Sequence, residues 1–132
     1  MYEGRWLTTE PHGVGRWTYQ DGSVYIGQVA KHARKGLGVF YWPQTGNFYD
    51  GNWGVGGQMD GIGHFYWKSG AVYQGKFNRG KRTGKGKYFF PDGAVFDGTF
   101  KDGKEEGEGE YTFANGKKKK GTWKAGKLQN WL

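Results

Sequence analysis

Few residues of this chain have types and spacings that could do chemistry. Its histidines are His12, His32 and His64. They stand at unlike positions, and no zinc set can be spaced from them in a chain without cysteine. They read as surface histidines. The segment GKRTGK, residues 80 to 85, has the glycines and lysine of a phosphate loop. It places three residues between its glycines where that loop needs four, and no Ser or Thr follows the lysine. It also precedes no helical pattern. Glu105 and Glu106 are adjacent carboxylates in a polar stretch, a setting that suits solvation better than catalysis. The sequence therefore predicts no catalytic residue, no metal and no cofactor, and a protein that is not an enzyme.

The elements around these residues are more informative. The chain has 132 residues, enough for one small domain. Glycine supplies 27 of them, aromatic residues 19%, and mean hydropathy is −0.90. Abundant glycine with low hydropathy suggests disorder. So many rings argue the other way, because each can bury a large area. A fold with little globular core and many stacked rings reconciles the two.

A repeat runs through the sequence. Tyr2, Tyr25, Tyr49, Tyr73 and Phe96 recur at near-constant steps, each followed two residues later by Gly4, Gly27, Gly51, Gly75 or Gly98. Two further on stand Trp6, Val29, Trp53, Phe77 and Phe100, and then the pairs Gly13/Gly15, Gly36/Gly38, Gly61/Gly63, Gly84/Gly86 and Gly107/Gly109. Each unit alternates with period two, the strand period. Its second strand carries two aromatic columns, Trp17, Phe40, Phe65, Tyr88, Tyr111 and Tyr19, Trp42, Trp67, Phe90, Phe113. Asp21-Gly22, Ser69-Gly70, Asp92-Gly93 and Asn115-Gly116 supply turns that accept positive φ. A glycine on the ring side of a strand leaves a slot into which a neighbouring ring can lie. The sheet then gains a core without a second layer.

Units such as YQGKFNRGKRTGKGKYFFPDGAV (73 to 95) and FDGTFKDGKEEGEGEYTFANGKK (96 to 118) resemble MORN repeats, the membrane occupation and recognition nexus motif. The resemblance covers nearly the whole chain. It implies an all-β fold, an elongated single-layer antiparallel sheet of successive hairpins, in which eleven strands would make a rod of about 50 Å. The organisation expected is one MORN-repeat domain over 1–132, with repeats 2–24, 25–48, 49–72, 73–95 and 96–118 and a half repeat with tail at 119–132. The family holds no single activity. Its members include cytoskeletal and ciliary scaffolds, membrane-junction proteins and arrays attached to catalytic domains. Three units depart from the pattern: the first has Thr9 for the mid-repeat glycine, the second has AKHARKG and Val29 for a ring, and the third has an extra residue in GVGGQMDG. These should bulge or pair irregularly.

Such a sheet works by surface. On the face opposite the rings, the second strands of the middle units carry Leu37, Val39, Tyr41, Ile62, Tyr66 and Phe89, while the end units are polar. A single layer leaves that face uncovered unless loops or the tail fold over it, so these residues form the expected partner-binding patch. Charge is the second surface feature. The net charge is +8, and the fourth unit sets Lys76, Arg79, Lys81, Arg82, Lys85 and Lys87 against Asp92 alone, whereas the fifth is net acidic. The basic cluster suits anionic lipid head groups or an acidic protein surface, beside the plainer roles of solubility and edge protection. Nucleic acid is the weaker reading, since the ordered ring columns are better explained as core than as a base-stacking platform.

At the start of the chain, Tyr2 to Leu7 is expected to be an edge strand open to pairing with another chain, with Glu3 and Arg5 opposing uncontrolled association. At the other end Lys119 stands where a ring is expected, and Leu128, Trp131 and Leu132 form an apolar tail that can cap the last hairpin. With no long apolar run and no secretory signal, the expectation is a soluble cytoplasmic protein, with cytoskeleton or cilium as its setting by resemblance. The function expected is that of a non-enzymatic, protein-binding scaffold subunit of a larger assembly. The alternative is a peripheral adaptor for acidic phospholipids.

Overall fold

The computed structural model describes residues 2–7, 10–30 and 33–132, excepting the side chains of residues 5–7, 10–12 and 55. Thr9 and His32 lie outside these residues, as do the side chains of Trp6 and His12. Twelve strands form one antiparallel sheet, each hydrogen-bonded to the next in chain order. They are β1 (Tyr2–Leu7), β2 (Glu10–Thr18), β3 (Val24–Ala30), β4 (Ala33–Trp42), β5 (Asn47–Trp53), β6 (Met59–Tyr66), β7 (Val72–Asn78), β8 (Lys81–Phe89), β9 (Val95–Lys101), β10 (Lys104–Thr112), β11 (Lys118–Lys124) and β12 (Lys127–Trp131). The single-layer all-β fold is as the sequence implies. The added strand is the tail: β12 pairs with β11, and Trp131 packs against Trp123, Tyr111 and Phe113. Lys119 Nζ sits 5.5 Å from the centre of the Trp131 ring, so the tail supplies the ring missing from that column.

A row of glycines crosses the sheet. Gly4, Gly15, Gly27, Gly38, Gly51, Gly63, Gly75, Gly86, Gly98, Gly109 and Gly121 each stand opposite the next on the neighbouring strand. The rings of Tyr25, Tyr49 and Tyr73 lie over this bare backbone and are fully buried, and Phe96 does the same one repeat on. Each phenol donates to a carbonyl three residues along, at Gln28 (2.6 Å), Asn52 (2.9 Å) and Lys76 (3.0 Å). Edge-to-face contacts link them through the other first-strand rings: Trp53 touches Tyr25 and Tyr49, Phe77 touches Tyr49 and Tyr73, and Phe100 touches Tyr73 and Phe96. This zipper is the core, built on one side of one layer.

The two glycines of each pair do different work. The second takes the ring. The first has a left-handed backbone, and at Gly84 (φ 63°) and Gly107 (φ 81°) it has open space around it as well. Ladder register shifts beside these first glycines in the hairpin within each repeat, and runs regular between repeats. The glycine there makes a β-bulge. At the opposite strand ends Asp21, Asp92 and Asn115 each accept a hydrogen bond from the N–H two residues on, which holds the turn before the next strand. That bond keeps the Asp21 carboxyl below its ordinary pKa. The irregular third unit forms a 3-10 turn at Val55–Gly57.

Candidate functional site

Alternation divides every strand between a ring side and a reverse side. On the ring side Tyr25, Tyr49 and Tyr73 are 0% exposed. On the reverse side Val14 (58%), Ile26 (52%), Leu37 (59%) and Ile62 (58%) are in solvent, and Val39, Tyr41 and Phe48 are exposed too. These large apolar side chains have no second layer above them.

Register arranges the reverse side into rows across the strands. One row joins Val24 to Tyr41, Tyr41 to Phe48, Phe48 to Tyr66, Tyr66 to Val72, Val72 to Phe89 and Phe89 to Val95, an unbroken apolar line from β3 to β9. Six strand spacings make it about 29 Å long. Phe48 and Tyr66 stack at 4.4 Å between ring centres. A parallel row runs Arg16, Ile26, Val39, Asp50, His64, Gln74, Lys87, Asp97 and Glu110. Charge therefore increases along the sheet while the apolar line continues.

Of the residues expected in the patch, Tyr41, Tyr66 and Phe89 lie in the apolar row, Val39 lies in the row beside it, and Leu37 and Ile62 lie in the next. Tyr66 and Phe89 are half-buried by their row neighbours. The sequence reading missed Val24, Ile26, Phe48, Val72 and Val95, because it followed only second strands. The same period-two rule carried into the first strands finds them. The tail sits at the far end of the sheet, where the Leu132 N–H donates to the Lys120 carbonyl, away from this row.

The basic cluster divides. Lys76, Lys85 and Lys87 are exposed on the reverse side, and Lys87 makes a 3.8 Å surface pair with Asp97, worth about 0–1 kcal/mol. Arg79 lies at the β7–β8 turn with φ 48°. Arg82 belongs to the ring side. Its guanidinium lies over Trp67, Tyr73, Tyr88 and Phe100 and donates to the Gly103 carbonyl in the next repeat. Arg34 repeats the device two units earlier, over Phe40 and Trp53, donating to Tyr19 Oη and the Gly57 carbonyl at 2.8 Å each. Each arginine ties one hairpin to the next.

The residues with chemical potential are spread through the sheet. Glu106 accepts a hydrogen bond from the Ala125 N–H (2.8 Å). His64 faces Asp50 and Gln74 across the strands on the reverse side. The GKRTGK stretch is a β-turn and strand. Among the described residues no group of three or more His, Asp or Glu could hold a metal ion.

The geometry is that of a repeat array with an open face. A family model for the MORN repeat matches residues 2–24, 25–46, 49–72, 73–95 and 96–118. The chain is a MORN-repeat protein. MORN repeats form a binding family and mediate protein or membrane interactions. Over 85 residues, 61% of the chain, it is 35% identical to Alsin of Rattus norvegicus and 34% identical to Alsin of Homo sapiens. It is 32% identical over the same share to the human ALS2 C-terminal-like protein. The chain spans only 5% of Alsin's length and 9% of the ALS2 C-terminal-like protein's, so the likeness is to their MORN regions. Among solved structures, the TCP domain of Drosophila melanogaster SAS-4 aligns over 89% of this chain and 70% of its own at 14% identity, with a TM-score of 0.48. No helix among the described residues is long and apolar enough to cross a membrane.

Proposed function

We propose that this MORN sheet is a non-enzymatic scaffold that holds another protein against its reverse side, as one subunit of a larger intracellular assembly. We read 1–132 as one domain, closed by the half repeat at 119–132. The supporting observation is the uncovered apolar line from Val24 to Val95, flanked by exposed Ile26, Leu37, Val39 and Ile62. Contiguous apolar surface of this kind costs solubility unless a partner covers it. Aromatic residues in its middle are the side chains that dominate binding energy at interfaces. The cytoskeletal or ciliary setting rests on the family alone.

The test is a variant carrying Tyr41→Ser, Tyr66→Ser and Phe89→Ser. Those side chains are not part of the ring-side core, so the strand circular dichroism should persist. Proteins co-purifying with the tagged chain from its own cells should fall by about a hundredfold, the loss of three interface side chains at about 1 kcal/mol each. An unchanged set of co-purifying proteins on a folded variant would refute this reading.

A second reading rests on Lys76, Lys85 and Lys87 sharing the reverse side with Val72 and Phe89. Apolar and basic residues together suit an anionic bilayer surface, at about 1 kcal/mol per basic residue. Binding to phosphatidylserine vesicles should weaken with salt and with conversion of these three lysines to glutamine. Sedimentation that ignores both removes the lipid reading.

A further inference from the structure

The ring side has a feature its core role leaves unused. The second-strand aromatics form a continuous ladder: Trp42 to Phe65 at 5.6 Å between centres, Phe65 to Trp67 at 4.6 Å, Trp67 to Tyr88 at 5.3 Å and Tyr88 to Phe90 at 4.7 Å. Unlike Tyr49 and Tyr73 beneath them, these rings are only half-buried. Trp42 and Trp67 hold equivalent places one repeat apart. The buried Trp53 indole donates to the Gly38 carbonyl at 3.0 Å. The indole N–H groups of Trp42 and Trp67 meet no acceptor among the described residues and are open to solvent.

An occupant must match the repeat. Two strand spacings separate equivalent rings, about 9.6 Å. An α-helix advances about 5.4 Å per turn and falls out of step. A polyproline II segment advances about 3.1 Å per residue with three residues per turn, so one turn takes about 9.3 Å. It has no internal hydrogen bonds, its carbonyls are free to accept, and prolines pack flat on aromatic faces. Charge selects further. Arg82 joins Met59, Phe65, Trp67 and Phe77 around a depression of about 310 Å³, its guanidinium 5.6 Å from the Trp67 ring centre, whereas Lys81 stands opposite Asn78 on the reverse side. We propose that the ring side of the third and fourth repeats binds a proline-rich segment bearing an acidic residue. It lies across the strands at one turn per repeat, and Trp42 and Trp67 donate to its carbonyls. This surface is opposite the reverse-side row, so the two binding readings stand or fall separately.

The probe is a synthetic peptide of about twelve residues, proline at two of every three positions and one aspartate. It is titrated into the full chain, with tryptophan fluorescence and calorimetry as readouts. Saturable binding is expected. Trp67→Phe keeps the ring and removes the donor, and should weaken binding about five- to tenfold. Trp42→Phe is the second variant, should the first fail to fold by circular dichroism. Replacing the peptide's aspartate by asparagine should reduce both the affinity and its salt dependence. The proposal is overturned by no saturation at millimolar peptide, by equal binding of a Gly/Ser peptide with the same aspartate, or by folded Trp→Phe variants that bind as well as the parent.

Discussion

Gly63→Ala is expected to destabilise the sheet by about 3 kcal/mol or more, beyond the usual range for one added methyl, because the site has nowhere to give. A Cβ there would run into the Tyr49 phenol. That ring is 0% exposed, with Trp53 and Phe77 each 5.1 Å from its centre and its hydroxyl bonded to the Asn52 carbonyl. Gly70→Ala is the comparison. It has a φ of +99° and nothing within 4 Å of a new Cβ, so it carries backbone strain alone, about 1–2 kcal/mol. Tyr49→Ala should itself cost about 3–5 kcal/mol, and adding Gly63→Ala to it should cost almost nothing more. Chemical denaturation of the four variants checks this. Each strand is hydrogen-bonded only to its neighbours in the sheet, so a weakened β5–β6 hairpin should also split the transition into two steps. Equal losses for Gly63→Ala and Gly70→Ala would mean that ring-over-glycine contact does not hold the sheet.

Much of this fold was legible because period two and the 23–24-residue repeat are local properties of the chain. Once Tyr49 is placed on one side, Gly51 and Trp53 must join it, and hairpin turns such as Asp92-Gly93 leave few alternatives for the register. What escaped depends on neighbours in space. Gly61 and Gly63 look alike in sequence, yet only the ladder shows that one makes a bulge and the other a bed for a ring. Alternation puts Arg82 on the opposite side from Lys85 and Lys87, but its long side chain folds back over rings of two hairpins only because the Gly103 carbonyl waits there. The site was half-read for a similar reason. Tyr41 and Phe89 stand out in aromatic-rich second strands, whereas Val24, Val72 and Val95 look ordinary until pairing aligns them in one row.

The phenols that fill the glycine row also set the pH range of the fold. Burial pushes Tyr25 and Tyr73 up to about 12 and pushes Tyr49 up as well. Ionisation in place would put a phenolate against the carbonyls of Gln28, Asn52 and Lys76, which accept from the neutral hydroxyls. The folded sheet therefore holds these protons more tightly than the unfolded chain, where a tyrosine ionises near pH 10. Their contribution is fully present below about pH 10 and is lost as pH rises from there through about 12. Loss of the strand circular dichroism should accompany the late rise in phenolate absorbance across that window. A Tyr25→Phe, Tyr49→Phe, Tyr73→Phe variant gives up about 1 kcal/mol per lost hydrogen bond at neutral pH, but keeps its sheet to higher pH because the three phenols of the glycine row are no longer there to ionise. Lysine deprotonation is common to both chains, so the difference between them isolates the phenols. If both chains melt at the same alkaline pH, or if these phenols ionise while the strands persist, the rings are not locked over the glycines as the sheet requires.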